Sequence, residues 1–214
     1  YSSIRIEQIN FADARKFILQ YEWLGNLGSA KYCFGLYIDQ HLAAVVCFTD
    51  HVSPQAYKGL LEINNEKKIL QLNRGASAYW APKWAPSKLI SKALKIISKE
   101  KNILAVFAYA DPEAGEIGTI YQACNALYIG KTDPGGAKTY IINGKQYHPR
   151  KVHKLYGTRK REELLKIDSK YKTLEIRPKY RYVFLTGTKQ ENLLLKEKLS
   201  KHIQEYPKRK IHQH

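Results

Sequence analysis

Residues 103–110 read ILAVFAYA, and this stretch decides the fold. It is almost wholly apolar and rich in β-branched and aromatic side chains, which predicts a strand covered on both faces of a sheet. The preceding residues 87–100 place apolar side chains on one side and lysines on the other, the pattern of an amphipathic helix. Residues 119–125 predict a short helix and 126–130 another strand. Strands that alternate with helices in this way predict an α/β fold.

The amino-terminal half supplies the rest of one sheet. Residues 11–21 carry apolar side chains at helical spacing, and the strand-like runs 32–39 and 42–49 predict a hairpin. Residues 68–73 alternate between apolar and polar types and predict a further strand, and residues 74–86 predict a loop. We therefore expect a mixed central sheet flanked by helices.

The carboxyl-terminal third predicts a second hairpin and a basic extension. Residues 139–142 and 146–148 are joined by Asn143-Gly144, a pair that favours a tight primed turn. Residues 181–186 predict the last strand, and 191–206 a basic amphipathic helix. The expected domains are a main domain over 1–186, which includes a basic hairpin region at 131–161, and a basic helix and tail over 187–214.

Charge is distributed unevenly along the 214 residues, whose formal net charge is +17. Residues 131–214 hold 22 Lys/Arg against eight Asp/Glu, a surplus of 14, whereas residues 1–73 hold equal numbers. Charge gathered in one region indicates a polyanionic partner, nucleic acid, rather than a need for solubility. A solvated basic tail is the alternative, but such a tail would lack the interleaved rings of Tyr140, Tyr147, Tyr156, Tyr171, Tyr180 and Tyr182.

The apolar stretches are all short. The longest, such as 42–48 and 103–110, have fewer than ten residues, whereas a membrane-spanning helix needs about 20. We therefore expect a cytoplasmic protein without a membrane partner, and we assign no oligomeric state.

Seven segments, in order along the chain, carry a resemblance to a known family. They are YEWLG at 21–25, LNRGAS at 72–77, APSKLISKAL at 85–94, YADPEAGEIGTIYQACN at 109–125, YIGKT at 128–132, HPRKVHKLYGT at 148–158 and KYRYVFL at 179–185. With the order of the predicted elements, they make the chain similar to the Mom DNA-modification proteins of bacteriophages, which resemble acyltransferases of the GNAT superfamily. The segment at 109–125 is the most specific.

The resemblance implies an activity and a partner. Mom-like proteins convert adenine in double-stranded DNA to an adenine that bears a carbamoylmethyl group on its exocyclic nitrogen, which protects phage DNA from restriction. Such an enzyme is expected to act in the cytoplasm of the bacterial host. Two alternatives remain, an acetyl-CoA-dependent N-acetyltransferase acting on RNA or protein and a non-catalytic nucleic-acid-binding protein.

The implied cofactor is an activated acyl donor. In GNAT enzymes a glycine-rich loop and a helix amino terminus hold the pyrophosphate of coenzyme A. Here Arg74-Gly75-Ala76 opens the corresponding loop, but residues 82–87 contain no glycine. The donor is therefore left between acyl-CoA and glycyl-tRNA, because a glycyl group would supply the second nitrogen of the product. The residues expected to bind the donor are Arg74, Ser77, Lys83, Ser87, which would also cap the helix, and Lys88.

The expected catalytic residues follow the 103–110 strand. Asp111 would accept a hydrogen bond or a proton from the attacking amine, and a turn cap is its alternative role. Tyr121 would donate a proton to the leaving group, and packing in the core is its alternative role. Tyr109 lies next to Asp111 and joins the same set.

The acceptor pocket is expected to include Glu22 and Trp23, which lie between the first helix and the hairpin. Trp23 would stack on a flipped base, since the amine of a paired base is not free to attack. Trp80 and Trp84 are the alternatives for that role.

A dense basic cluster is expected to contact DNA phosphates, which set affinity rather than sequence preference. Its histidines have no nearby carboxylate or cysteine at metal spacing, so the pattern does not indicate zinc, and a metal held by distant residues is left open. The residues expected to bind nucleic acid are Lys138, Lys145, His148, Arg150, Lys151, His153, Lys154, Arg159, Lys160 and Arg161.

Overall fold

A mixed seven-stranded sheet forms the centre of the fold in a computed structural model, which describes residues 3–22, 27–50, 55–63, 68–133, 135, 138–147 and 149–209. Its strands are β1 (Ile4–Ile9), β2 (Tyr32–Ile38), β3 (His41–Asp50), β4 (Ile69–Ser77), β5 (Ala105–Ala110), β6 (Leu127–Lys131) and β10 (Tyr180–Leu185). They lie in the order β1-β2-β3-β4-β5-β10-β6. The β4–β5 pair is parallel and the other neighbours are antiparallel.

Helices cover both faces of this sheet. They are α1 (Phe11–Tyr21), α2 (Gln55–Leu61), α3 (Ala85–Lys101), the short α4 (Thr119–Ala123) and α7 (Lys189–Leu199). The apolar side of α3 packs on one face, together with side chains of β2 to β5. Helices α1, α2 and α7 contribute to the clusters on the other face. The prediction of an α/β fold with a mixed central sheet and a doubly covered 103–110 strand is confirmed.

A second, three-stranded sheet lies between β6 and β10 in the chain. It consists of β7 (Lys138–Ile142), β8 (Lys145–Tyr147) and β9 (Lys172–Glu175) in the order β8-β7-β9, with α5 (Pro149–Tyr156) and α6 (Arg161–Ile167) between β8 and β9. Ile142, Val152 and Leu164 form a small buried core of its own. We call residues 138–175 the insertion.

The ends of the insertion are tied together at its base. The Thr132 N–H donates to the Lys179 carbonyl at 2.8 Å, and the Lys179 N–H donates to Thr132 Oγ1 at 2.9 Å. The insertion therefore leaves and rejoins the main sheet at one place.

The tyrosines of the basic region have a structural role that the sequence did not indicate. Four of them pack against the core of the insertion, and Tyr182 is fully buried in the main sheet. These rings are at least partly used for packing, and the interpretation that they mark a nucleic-acid surface stays a prediction. The four rings are Tyr140, Tyr147, Tyr156 and Tyr171.

Two predicted boundaries were wrong. Residues 74–77, predicted as the start of a loop, continue β4, because the long β3 pairs with it as far as Ser77. The terminal helix, predicted over 191–206, ends at Leu199, because residues 200–209 run along the edge of the main sheet. The strand β1 and the helices α5 and α6 were not predicted. In the part of the chain that the structure describes, no helix combines the length and the apolar character needed to span a bilayer.

Candidate active site

The site lies where β4 and β5 separate. Their ladder runs from Ile69–Ala105 to Leu72–Ala108. Beyond it, β4 stays paired with β3 as far as Ser77, and β5 stays paired with β10 as far as Ala110. Because each strand follows its outer neighbour, a wedge opens between them in the middle of the sheet.

Two clefts meet at this wedge. The larger cleft, about 580 Å³, is lined by Ser77, by Pro86 and Leu89 of α3, and by the loop 114–118. The smaller cleft, about 210 Å³, is lined by the β4 residues 71–75 and by side chains that follow β5. Leu72 packs on the α3 side. Successive side chains of a strand project to opposite faces, so Gln71 and Asn73, which line the smaller cleft, project away from α3. Glu22, Leu72, Gly75, Glu116 and Tyr121 line both clefts.

Asp111 sits at the smaller cleft and is held by three contacts. Its Oδ2 lies 2.6 Å from Lys179 Nζ, and its Oδ1 accepts the Glu113 N–H at 3.0 Å. Its own N–H donates to Glu116 Oε2 at 3.2 Å. The carboxylate therefore caps the 3₁₀ turn Pro112–Ala114 and also faces the cleft, so that both roles considered for it are compatible with the geometry.

Two tyrosines, Tyr109 and Tyr121, line the clefts. Tyr121 packs against Tyr182 and Phe184, with ring centroids 5.5 and 6.1 Å apart. Burial raises the pKa of Tyr121 above the ordinary value for tyrosine, and the nearby Glu116 adds to that effect. Burial also raises the pKa of Tyr109 to about 12, against the opposing effect of Arg181. Both hydroxyls are thus protonated at neutral pH and able to donate.

The loop 114–118, which lines the larger cleft, is fixed by a hydrogen-bond network. The Tyr182 hydroxyl donates to the Ile117 carbonyl. Gln122 Nε2 donates to the Tyr182 hydroxyl at 3.0 Å and to the Ile117 carbonyl at 3.2 Å. Gly118 follows with a φ of +79° and its Cα against the Tyr182 ring. The network holds this loop as a rigid wall of the larger cleft.

Glu22, at the end of α1, and Arg74 of β4 approach each other beside the wedge. Arg74 Nε lies 3.9 Å from Glu22 Oε1, and Arg74 Nη1 donates to the Asn73 carbonyl at 2.6 Å. Arg74 lines the smaller cleft, whereas Ser77 lines the larger one. These two of the five residues expected to bind the donor are thus divided between the clefts.

The amino terminus of α3 differs from the predicted phosphate site. Its N-cap is Trp84, which makes no side-chain capping bond, and the Ser87 hydroxyl donates to the Trp84 carbonyl at 3.0 Å, so the predicted Ser87 cap was wrong. The Ala85 and Lys88 N–H groups donate to the carbonyls of Pro82 and Trp84, and Pro86 has no N–H. Few backbone donors are left in this first turn for a diphosphate, so the turn does not match the coenzyme A cradle.

The lysines near α3 also lie away from the two clefts. Ser87 and Lys88 line a separate cavity of about 380 Å³ with Trp84, and Lys88 Nζ lies 5.1 Å from the centre of the Trp84 ring. Lys83 is exposed in the turn before α3 and lines none of these three cavities. The donor-binding set predicted from the loop is therefore not assembled at one place.

The aromatic candidates for stacking on a base lie in several places. Trp23 lies outside the described residues. Trp80 and Trp84 are 41% and 38% exposed, and neither lines the two clefts. Tyr21 lines the larger cleft, and the ring of Tyr79, 91% exposed, lies 6.2 Å from it. The Tyr21–Tyr79 pair was not predicted.

Comparison with known proteins connects this geometry to a family. The profile of the Mom protein family matches residues 3–208. The chain belongs to the Mom protein family. It is 26% identical over 207 residues to the methylcarbamoylase mom of Escherichia phage Mu, in a match that covers 96% of this chain and 84% of that one.

Solved acetyltransferases share the fold of this family member. A point mutant of the spermidine N-acetyltransferase SpeG from Vibrio cholerae superposes with a TM-score of 0.50 at 14% identity, over 90% of this chain and 98% of that chain. An N-acetyltransferase from Staphylococcus aureus Mu50 superposes with a TM-score of 0.50 at 10% identity, over 86% and 99%. The GNAT-type fold implied by the resemblance is confirmed.

The basic residues that were predicted to bind nucleic acid all belong to the insertion. His148 and the side chain of Arg150 lie outside the described residues. All the other predicted nucleic-acid-binding side chains are exposed: Lys138, Lys145, Lys151, His153, Lys154, Arg159, Lys160 and Arg161. No group of three or more His, Cys, Asp or Glu side chains that would hold a metal ion occurs among the residues described.

Several cleft residues were missed by the sequence analysis. The side-chain oxygens of Gln71 and Asn73 are buried at the smaller cleft without a hydrogen-bond partner among the described residues. Lys179 approaches the same cleft from the far side of the insertion, and Arg209 lines the larger cleft. The alternation of residues 68–73 placed Gln71 and Asn73 on one face of a strand, but nothing in that pattern indicated a cleft beside them.

Proposed function

We propose that this protein modifies adenine in DNA, by transferring an acyl group to the exocyclic amine, to give carbamoylmethyl-adenine and protection from restriction. The observation that carries the proposal is the meeting of two clefts at the β4–β5 wedge, with Tyr121 lining both. One cleft would admit the activated donor and the other the flipped base. The name of the phage Mu relative, a methylcarbamoylase, and the basic insertion support the choice of product and substrate.

In the first step the adenine amine attacks the carbonyl carbon of a glycyl ester. A carbon–nitrogen bond forms and the ester carbon–oxygen bond breaks. The Tyr121 hydroxyl donates a proton to the departing oxygen, and Asp111 accepts the proton that the amine loses. Asp111 then passes this proton to Tyr121, so that both side chains return to their starting states. Because the exocyclic amine is delocalised and weakly basic, its orientation between Asp111 and the donor carbonyl contributes most of the acceleration.

In the second step the free amine of the attached glycine attacks C6 of the purine through a five-membered ring. The original bond from C6 to the exocyclic nitrogen breaks, and that nitrogen leaves as a carboxamide after gaining the proton that the attacking amine loses. The result is an isomer, a purine that carries a carbamoylmethyl group on its amine. An acetyl group does not support this step, because it contains no nitrogen.

Isotope transfer tests the donor and the product together. Purified protein is incubated with double-stranded DNA and either glycyl-tRNA, labelled with ¹³C and ¹⁵N in glycine, or acetyl-CoA, and the nucleosides are analysed by mass spectrometry. We expect both labels in a carbamoylmethylated deoxyadenosine. Product formed from acetyl-CoA, with no glycine label in adenine, would contradict the proposal.

Replacement of Asp111 separates its charge from its capping role. Asp111→Asn keeps an acceptor for the Glu113 N–H, since Asn and Asp cap helices about equally well, whereas Asp111→Ala removes it. We expect both variants to lose about 10²-fold or more in modified adenine, and only Asp111→Ala to lose about 1 kcal/mol of stability. Full activity of Asp111→Asn would remove the carboxylate from the chemistry.

Neutral substitutions on the insertion test the DNA surface. We compare a variant that carries Lys154→Gln, Arg159→Gln and Lys160→Gln with the unmodified protein. Each phosphate contact contributes about 0.9 to the slope of log affinity against log salt, so we expect this slope to fall by about 2 to 3. DNA binding is followed by fluorescence anisotropy across a salt series.

A matched variant on the main domain controls for total charge. Lys92→Gln, Lys95→Gln and Lys99→Gln remove three equally exposed charges from α3. We expect a slope within about 0.5 of the unmodified protein, since charges that do not meet phosphates release few counterions. Equal changes in both variants would mean that the insertion is not the DNA surface.

A further inference from the structure

Residues 200–209, the terminal strap, run along the exposed edge of the main sheet. The edge strand is β6, and the Gln204 N–H donates to the Tyr128 carbonyl of that strand at 2.9 Å. A Cβ atom on Gly130 would lie 2.9 Å from Gln204 Nε2, so the strap and β6 are in close contact. An edge strand that is covered in this way has fewer free backbone groups for pairing with another chain.

The strap also contacts the residues that fix the loop beside the larger cleft. The Tyr206 hydroxyl donates to the Ala126 carbonyl at 2.7 Å, and its ring centroid lies 6.5 Å from that of Tyr182. Gln122 Nε2 donates to the Pro207 carbonyl at 3.4 Å, and the same nitrogen donates to the Tyr182 hydroxyl. The strap is therefore joined to the same network that fixes the loop 115–118.

The path of the strap places Arg209 at the larger cleft. Arg209 is the one basic side chain among the described residues that line this cleft, whose acidic residues are Glu22 and Glu116. Lys83 and Lys88, the lysines closest in sequence to the start of α3, lie outside it. The strap thus brings one cation to the cleft that Pro86 and Leu89 of α3 also line, whereas the first turn of α3 offers few backbone donors.

We propose that Arg209 binds a phosphate of the activated acyl donor, so that the terminal strap is part of the donor site. This inference rests on the proposed function in one respect: the proposed function identifies the bound phosphate as part of the acyl donor. A guanidinium group presents paired N–H donors that match two oxygens of a phosphate, which suits it to this role better than a lysine. Coenzyme A and the 3′ end of tRNA both supply such a phosphate.

Binding measurements on two single variants test the proposal. Arg209→Gln removes the cation from the cleft, and Lys208→Gln is the matched control, because Lys208 is adjacent and exposed but does not line the cleft. The probes are coenzyme A, deacylated tRNA ending in CCA, and the same tRNA without these three nucleotides. We expect Arg209→Gln to weaken binding of one phosphate probe about tenfold, the effect of losing one charge-assisted contact, and Lys208→Gln to change it less than twofold.

The choice among probes identifies the source of the phosphate. A loss confined to coenzyme A assigns the site to acyl-CoA, and a loss confined to tRNA that carries its CCA end assigns it to the aminoacyl end of tRNA. Unchanged binding of both probes by Arg209→Gln overturns the proposal. An equal loss for both tRNA forms also overturns it, because that result describes general attraction to nucleic acid.

The two hypotheses fail in different measurements. If Arg209→Gln weakens probe binding but no glycine label reaches adenine in the unmodified protein, the donor site stands and the proposed reaction does not. If label reaches adenine but Arg209→Gln binds both probes normally, the reaction stands and the strap is structural only. Affinity for DNA, measured in parallel, is expected to change less than twofold in Arg209→Gln, and an equal loss for DNA would count against a donor site.

Discussion

Replacing Tyr121 by Phe is expected to lower the rate of adenine modification by about 10²- to 10⁴-fold, the range for loss of a positioned proton donor. The substitution keeps the ring that packs against Tyr182 and Phe184 and removes only the hydroxyl. Because burial raises the pKa of Tyr121, the hydroxyl stays protonated up to at least the ordinary tyrosine value of about 10. The deficit should therefore be constant between pH 7 and 9. The measurement is the initial rate of modified deoxyadenosine formation across that range.

Tyr128→Phe is the matched control for this experiment. Tyr128 is also a buried tyrosine in contact with Tyr182, at 5.2 Å between ring centroids, but it lines neither cleft. We expect its rate to stay within about twofold of the unmodified protein, because it lacks contact with the reacting groups. A rate for Tyr121→Phe within threefold of the unmodified protein would exclude the hydroxyl as the proton donor.

Replacing Gly118 by Ala is expected to destabilise the fold by about 2–4 kcal/mol, from backbone strain and overpacking together. The residue has a φ of +79°, and an added Cβ would clash with Cε2 of the Tyr182 ring. Relief of that contact would require movement of the ring whose hydroxyl holds Ile117. The free energy of unfolding from urea titration measures the effect.

Gly115→Ala separates strain from overpacking. Gly115 also has a positive φ, +71°, but an added Cβ would meet nothing within 4 Å. We expect a loss of about 1 kcal/mol, since only the unfavourable backbone conformation contributes. Equal losses at the two positions would mean that the Tyr182 contact is easily relieved and does not fix the loop.

The sequence predicted the parts of the fold that depend on local periodicity. The apolar run at 103–110 and the lysine-faced helix after 86 are both found, because their burial patterns are repeated several times along the element. The short α5 was missed because, among the side chains the structure describes in it, only Val152 is buried, too weak a pattern to stand out from its charges. The end of β4 was missed because its last residues are held by β3, a partner distant in sequence.

The candidate site was predicted in part, near the end of β5 and at Glu22, Arg74 and Ser77, which also line the clefts. Asp111, Tyr109 and Tyr121 follow one another in the chain, and the end of a buried strand is a common place for functional side chains, so their grouping was expected. Lys179 and Arg209 come from segments 68 and 98 residues after Asp111, counted from the residue numbers. Their approach depends on the insertion rejoining the sheet and on the path of the strap, and neither is encoded in local sequence.

Lys179 connects the base of the insertion to Asp111 at the smaller cleft. Its backbone closes the insertion against Thr132, while its ammonium group holds Asp111. One residue therefore belongs both to the base of the insertion and to the lining of the smaller cleft. Under the proposed function, a different nucleic-acid-binding segment grafted between residues 132 and 179 is expected to change the target and to keep the chemistry, provided that the graft returns this lysine to its place.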